Sequence, residues 1–208
     1  MGLWTTQVVP RVADKTLGVP GVRAVRERVC AGLHGDVLEI GFGSGHNVPF
    51  YPAAVTGVWA VDPSAVARRL GAERIDASRV PIHPAGLDGQ RIEASDGRFD
   101  SALSTFTLCT IPDAAAALRE VLRALKPGGT FHFVEHGGSP DPKVVTWQRR
   151  LEPVNRRIAG GCTLTRGITD LIVAAGFEVQ SLDNYYLPGD PKPFGYLYEG
   201  RARRRGVA

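Results

Sequence analysis

The sequence predicts an α/β fold: a mostly parallel sheet with helices on both faces and an antiparallel hairpin strand at the C-terminal end. Three observations predict it. Short apolar runs alternate with stretches of helical spacing along most of the 208 residues, a rhythm that means parallel strands joined by crossover helices. A loop with glycine at 41, 43 and 45 follows the first such run, where a strand-to-helix turn holds ligands in open parallel sheets. Near the end, two strand-like runs are separated only by PGDPK, and strands joined so closely must be antiparallel.

Val22 to Leu33 carries apolar groups at helical spacing, and Gly35 stops that helix before the buried strand VLEI, residues 37–40. TGVWAV, 56–61, is the second strand, and Ser64 caps a helix running to Leu70. FDSALSTF, 99–106, is a strand; DAAAALREVLRAL, 113–125, is an amphipathic helix ended by KPGG; TFHFVE, 130–135, is the next strand. A last helix, Arg166 to Ala175, is closed by Gly176 and leads into the hairpin runs FEVQSLDNYYL, 177–187, and PFGYLYEGRA, 193–202.

With 43% hydrophobic and 22% charged residues, the chain has the composition of one soluble globular unit. We expect a single domain over 1–208, with 1–22 as an N-terminal arm or lid, which Trp4 and Pro10 help to order, and 137–165 as a substrate-side insertion. The absence of a long apolar run and of a signal-like start leads to the expectation of a cytoplasmic protein. Cys30, Cys109 and Cys162 share no metal-ligand spacing, so reduced thiols and no bound metal are expected. The net charge is +4, and four arginines crowd into RARRRG, 201–206. Basic and acidic groups are mixed elsewhere, so that segment reads as a solvated tail and no nucleic-acid partner is expected, with an anionic membrane surface as the alternative contact.

The glycine loop is not a dinucleotide fingerprint, because His46 stands where G-x-G-x-x-G needs its last glycine. Glu39, two positions before Gly41, would repel a pyrophosphate and suits a ligand with a positive end. Asp62 closes the second strand, 21 residues after Gly41, where a carboxylate accepts hydrogen bonds from both ribose hydroxyls. The expected ligand is a nucleoside with a cationic, zwitterionic tail.

VLEIGFGSG followed by VDPS, then FDSALSTFTLCTIPD, LRALKPGGTFHFVEHG and the terminal hairpin resemble the class I S-adenosylmethionine-dependent methyltransferases, from about Arg23 onward. The resemblance implies a Rossmann-like sheet of seven strands, the last antiparallel, and S-adenosyl-L-methionine as cofactor. A narrower set, GSGHNVPFYP, TLCTIPD, WQRRLEPVNRRIAGGCTLTR and PFGYLYEG, is similar to the methyltransferase-like proteins of mammals that methylate alkyl thiols and to their bacterial relatives. Those relatives carry an apolar membrane anchor that this sequence does not show, which speaks against membrane attachment.

Carried over position by position, the resemblance implies Glu39, Gly41 and Gly43 around the methionine part, with Phe42 and Asn47 in the same cofactor-binding stretch, Asp62 on the ribose and Pro63 beside the adenine. Leu87 and Asp88 fall on the pair that meets the adenine, or form a plain polar turn in GLDG. Thr105 and Phe106 line the methyl-transfer face. His136 is the candidate base, or a hydrogen-bonded structural histidine. Trp147 and Arg150 lie in the insertion as substrate candidates, with core packing and a solvated face as the plain alternatives. Cys109 and Cys162 read as small buried residues rather than nucleophiles, and Tyr185, Tyr186 and Phe194 as aromatic pocket surface. The implied function is methyl transfer to a small acceptor, with a thiol foremost. The alternatives are a phospholipid amine or quinone-like ring at a membrane surface, and a cofactor-binding module without turnover.

Overall fold

The computed structural model describes residues 2–206, so Met1, Val207 and Ala208 of the expected 1–208 domain lie outside the described residues. Within them, strands β1 (Gly35–Ile40), β2 (Val55–Val61), β3 (Ile82–Pro84), β4 (Phe99–Thr105), β5 (Leu125–His136), β6 (Phe177–Tyr186) and β7 (Tyr196–Arg204) form one sheet. Its order is β3-β2-β1-β4-β5-β7-β6. The first five strands pair in parallel, and β7 runs antiparallel to both β5 and β6. This is the expected architecture, and strand order reverses between β1 and β4, where a ligand crevice opens beyond their carboxyl ends.

Period-two alternation along β1 sends Val37 and Leu38 to opposite faces. Val37, Leu103 and Val134 pack against Val22, Val25 and Val29 of helix α2 (Pro20–Cys30). Leu38, Ile40, Phe131 and Phe133 pack against helices α5 (Ala114–Ala124) and α7 (Ile168–Ala174). The same alternation puts Glu39 and Thr105 in phase with Val37 and Leu103, on the α2 side. Two polar side chains are thereby buried beneath one helix.

Helix α3 (Ala65–Leu70) starts at the expected cap, with Ser64 Oγ accepting from the Ala67 N–H at 3.1 Å, and a short α4 (Ala72–Asp76) follows. The insertion is built on α6 (Pro142–Ile158), and the N-terminal arm on a π-helical turn (Trp4–Val8) running into α1 (Val9–Thr16). Three local readings need correction. KPGG does not separate α5 from its strand: β5 begins at Leu125, and the extra residues are absorbed as a bulge where pairing slips between Phe99 and Ser101. The hairpin link is longer than PGDPK, and the Leu187 N–H donates to the Gly195 carbonyl at 2.7 Å to close it. RARRRG is not a free tail. Arg201, Arg203 and Arg204 belong to β7, and the Arg204 guanidinium donates to the Leu122, Arg123 and Leu125 carbonyls at the end of α5. Among the described residues, no helix is long and apolar enough to cross a membrane.

Candidate active site

The chain leaves β1 through Gly41, whose φ of +70° lies in the left-handed region. A Cβ built there would sit 1.9 Å from Thr107 Oγ1, so only glycine lets the turn pass so close to the end of β4. The Gly43 N–H then donates to Asp62 Oδ2 at 2.8 Å, and the Ser64 N–H to Asp62 Oδ1 at 2.7 Å. Each carboxylate oxygen keeps a second acceptor position, so Asp62 is pinned by its own backbone and still able to receive a pair of hydroxyls. Burial pushes its carboxyl above the ordinary range despite the bonds from Ser64 and Gly43. Pro63 beside it is exposed.

Beneath the turn lies a buried polar set. Glu39, 1% exposed, accepts from Asn47 Nδ2 at 3.0 Å and from the Tyr51 hydroxyl. Arg26 of α2, 4% exposed, donates from one nitrogen to Asn47 Oδ1 at 2.8 Å and to Thr105 Oγ1 at 2.7 Å. Asn47 also donates to Thr105 Oγ1 at 3.0 Å. Among the described residues, Arg26 Nε is buried with no hydrogen-bond partner. The set therefore holds a buried cation and a buried carboxylate side by side, linked through Asn47 and Thr105. An α-amino acid end, with one ammonium and one carboxylate, is complementary to that pair, and its carboxylate would satisfy the orphaned nitrogen. The residues present fit a zwitterionic nucleoside.

Arg26 and Tyr51 are additions to the sequence-derived set. Apolar groups at 22, 25, 29 and 30 define the buried stripe of α2, and position 26 lies within it, so an arginine in an apolar stripe was the available signal. Phe42 is buried in a small apolar cluster with Val48 and Ala60, against which Tyr51 packs, so it supports the loop from below. Leu87, 69% exposed, and Asp88, also exposed, sit on a loop that reaches the site through its backbone: the Asp62 N–H donates to the Gly86 carbonyl at 3.3 Å. The Asp88 carboxylate turns back to the Gln90 N–H and side chain.

At the ends of β4 and β5, Phe106 adopts a left-handed φ of +55° and its ring lies 5.0 Å from the His136 ring, with the Arg26 guanidinium 5.2 Å away on the Phe106 ring. Glu135, on the opposite face, shapes this turn by accepting from Ser104 Oγ and from the Thr107 and Cys109 N–H groups. Cys109 and Cys162 are buried, as expected, and they converge on His136. Trp147 and Arg150 are not brought to this rim. They lie on the exposed side of α6, the Arg150 guanidinium 5.5 Å from the Trp147 ring, while Gln148 and Asn155 face inward. Tyr186 bonds Ser139 at 2.6 Å, Phe194 packs against the cysteine pair, and Tyr185 turns to Arg28 and Glu199.

The methyltransferase domain family matches residues 38–133, which include the glycine turn, Asp62 and Phe106. The chain is 34% identical to thiol S-methyltransferase TMT1B of Mus musculus, over 81% of this chain and 69% of that protein. It is 34% identical to TMT1B of Rattus norvegicus, over 79% of this chain and 66% of that protein. Against thiol S-methyltransferase TMT1A of Homo sapiens it is 31% identical, over 73% of this chain and 64% of that protein, so the chain spans about two thirds of the length of these relatives. In fold it is similar to a methyltransferase of Thermotoga maritima, with a TM-score of 0.72 at 18% identity, covering 99% of this chain and 100% of that one. A geranyl diphosphate methyltransferase solved with S-adenosylmethionine gives a TM-score of 0.67 at 14% identity, covering 88% and 85%. The chain belongs to the S-adenosylmethionine-dependent methyltransferases, with S-adenosylmethionine as its cofactor, and within them to the family of the TMT1 thiol methyltransferases.

Proposed function

We propose that this enzyme S-methylates a small, largely apolar thiol. The observation that carries the proposal is the apposition of Phe106 and His136 at the ends of two adjacent strands, 5.0 Å between rings, beside the buried Arg26–Glu39 set. Further support comes from the relatives, which are named thiol S-methyltransferases. Bound S-adenosylmethionine supplies a methyl group already activated on a sulfonium.

The protein's own work is then alignment, exclusion of water and removal of one proton. Asp62 would hold the ribose hydroxyls; Glu39, steered by Asn47 and Tyr51, would receive the ammonium; Arg26 would take the carboxylate. Gly41 and Gly43 allow the close approach. Pro63, Leu87 and Asp88 would lie on the adenine side, and Thr105 and Phe106 on the methyl-transfer side. A thiol, with an ordinary pKa near ~8.5, needs only modest help to become the reactive thiolate. His136, on the same rim, is the group assigned to that step, and an acceptor of low polarity suits the Phe106 ring.

Labelled cofactor offered to a panel of alkyl thiols, amines and phenols tests the reading. Transfer to the thiols supports it, and transfer confined to amines or phenols overturns it. Asp62→Ala should weaken cofactor binding by about tenfold or more, since a hydrogen-bonded charge is lost. Unchanged binding in calorimetry would remove Asp62 from the site.

A further inference from the structure

Three soft donors meet beside the turn after β4. Cys109 Sγ lies 3.9 Å from His136 Nδ1, and Cys109, Cys162 and His136 bring their ligand atoms within 4.8 Å of one another. They come from three separate parts of the chain, the turn after β4, the loop after α6 and the end of β5.

Each donor is fixed by the scaffold. The Cys109 N–H donates to Glu135 Oε2 at 3.2 Å, and its carbonyl accepts from the Thr163 N–H at 2.8 Å. The Cys162 carbonyl accepts from Asn155 Nδ2 at 2.9 Å, and its N–H donates to the Ala159 carbonyl at 3.1 Å. Gly161, with φ of +95°, lets the second loop press onto the first, since a Cβ there would stand 3.0 Å from the Thr110 carbonyl oxygen. His136 is held by the β5–β7 ladder opposite Leu197 and by its contact with Phe106. Two thiols packed as core residues need no imidazole aimed at them, and a disulfide needs no third donor. Three convergent soft donors are what a small divalent cation requires.

We propose that Cys109, Cys162 and His136 Nδ1 form a zinc site whose fourth position receives the acceptor thiolate. In tetrahedral zinc, with Zn–S of about 2.3 Å and Zn–N of about 2.0 Å, the ligand atoms stand roughly 3.5–3.8 Å apart, so the observed separations close by small side-chain shifts. Two thiolates balance the 2+ charge, and metal binding releases their two protons to solvent. Three protein ligands with one open position is the catalytic rather than the structural form of zinc coordination.

The ion half of the inference stands alone; the acceptor half rests on the thiol reading above. An acceptor R–SH would lose its proton to solvent on coordination. Its sulfur would then form the new S–CH3 bond as the sulfonium C–S bond breaks, leaving a neutral thioether to depart. His136 thereby changes role from proton acceptor to ligand, and the sequence-based expectation of no metal is replaced.

The test is cobalt(II) titration of tag-free protein after chelator dialysis, alongside metal analysis of protein purified without chelator. The expected results are one zinc per chain as purified and, at one equivalent of cobalt, a thiolate-to-cobalt charge-transfer band that zinc abolishes. C109S and C162S should lose the band while still binding S-adenosylmethionine, and H136A should shift it. Retained cofactor binding shows that the variants are folded. Metal-free wild type with no such band, whether its thiols titrate as free or as a Cys109–Cys162 disulfide, overturns the site. A cobalt spectrum unmoved by hexanethiol overturns the acceptor half, and the labelled-transfer panel judges the thiol reading separately.

Discussion

Burial pushes the Glu39 carboxyl up to about 7, against the hydrogen bonds from Tyr51 and Asn47 and the pull of Arg26. The value lies above that of an unfolded glutamate, so Glu39 contributes to stability as the neutral acid, fully below the unfolded pKa, and that contribution is lost as pH rises through about 7. An ammonium reverses the preference, because it is stabilised by the carboxylate. Cofactor affinity should therefore rise by roughly tenfold between about pH 6 and about pH 7.5. Calorimetric Kd values across that range check it, and Glu39→Gln should bind more weakly with the dependence flattened. Glu39 itself was legible from its place before Gly41. Asn47 was read with it, but Arg26 and Tyr51 were not, since Arg26 comes from helix α2 and Tyr51 from beyond the turn, and only folding brings them to Glu39.

Elements whose signals are local were read closely. Ser64 caps its helix as the sequence suggests, and Asp113, read as the first residue of the next helix, is its cap, with the Ala116 N–H donating to Asp113 Oδ1 at 2.8 Å. The hairpin was legible because a short link leaves one geometry. What the sequence hid is which side of an element faces inward: Trp147 shares helical spacing with Leu151, yet Trp147 is 54% exposed. It also hid how distant segments complete one another, as at Cys109, His136 and Cys162, and as with the arginines of β7. Arg204 ends β7 by capping the last carbonyls of α5, at the edge of the sheet opposite the carboxyl ends of β1 and β4. Arg204→Ala should therefore cost about 1–3 kcal/mol of stability, the range for a partly buried charged hydrogen-bond donor. Cofactor affinity should be unchanged. Denaturant unfolding with a parallel binding titration checks both. The same geometry bears on the membrane alternative, because arginines committed to a strand are not a free polybasic tail.

At the scale of the whole molecule, the N-terminal arm ties the end of α6 to the glycine loop. At one end, Trp4 Nε1 donates to the Ile158 carbonyl at 3.2 Å, where α6 finishes. At the other, Asp14 of α1 meets the glycine loop: Ser44 Oγ donates to Asp14 Oδ1 at 2.7 Å, Arg74 bonds it at 2.8 Å, and His46 Nε2 lies 2.9 Å from the Asp14 carbonyl oxygen. His46, the residue that breaks the dinucleotide pattern, is thus a fastening point for the arm. Burial alone would push the Asp14 carboxyl up, but the hydrogen bonds from Ser44 and Arg74 outweigh it and hold the group below its ordinary range. The fastening is therefore ionic at neutral pH and is lost as pH falls through that depressed value. An arm held at both ends cannot swing away without breaking one of them, so a bound cofactor should leave only as fast as the weaker fastening opens. Asp14→Ala removes the charged partner of the buried Ser44 and of Arg74, and because the Asp14 and Arg74 side chains are partly exposed the loss is about 1 kcal/mol after solvent screening. Cofactor release followed by stopped flow should accelerate about fivefold for that loss, with the association rate little changed. Equal release rates in the variant and the parent protein would show that the arm does not gate the site.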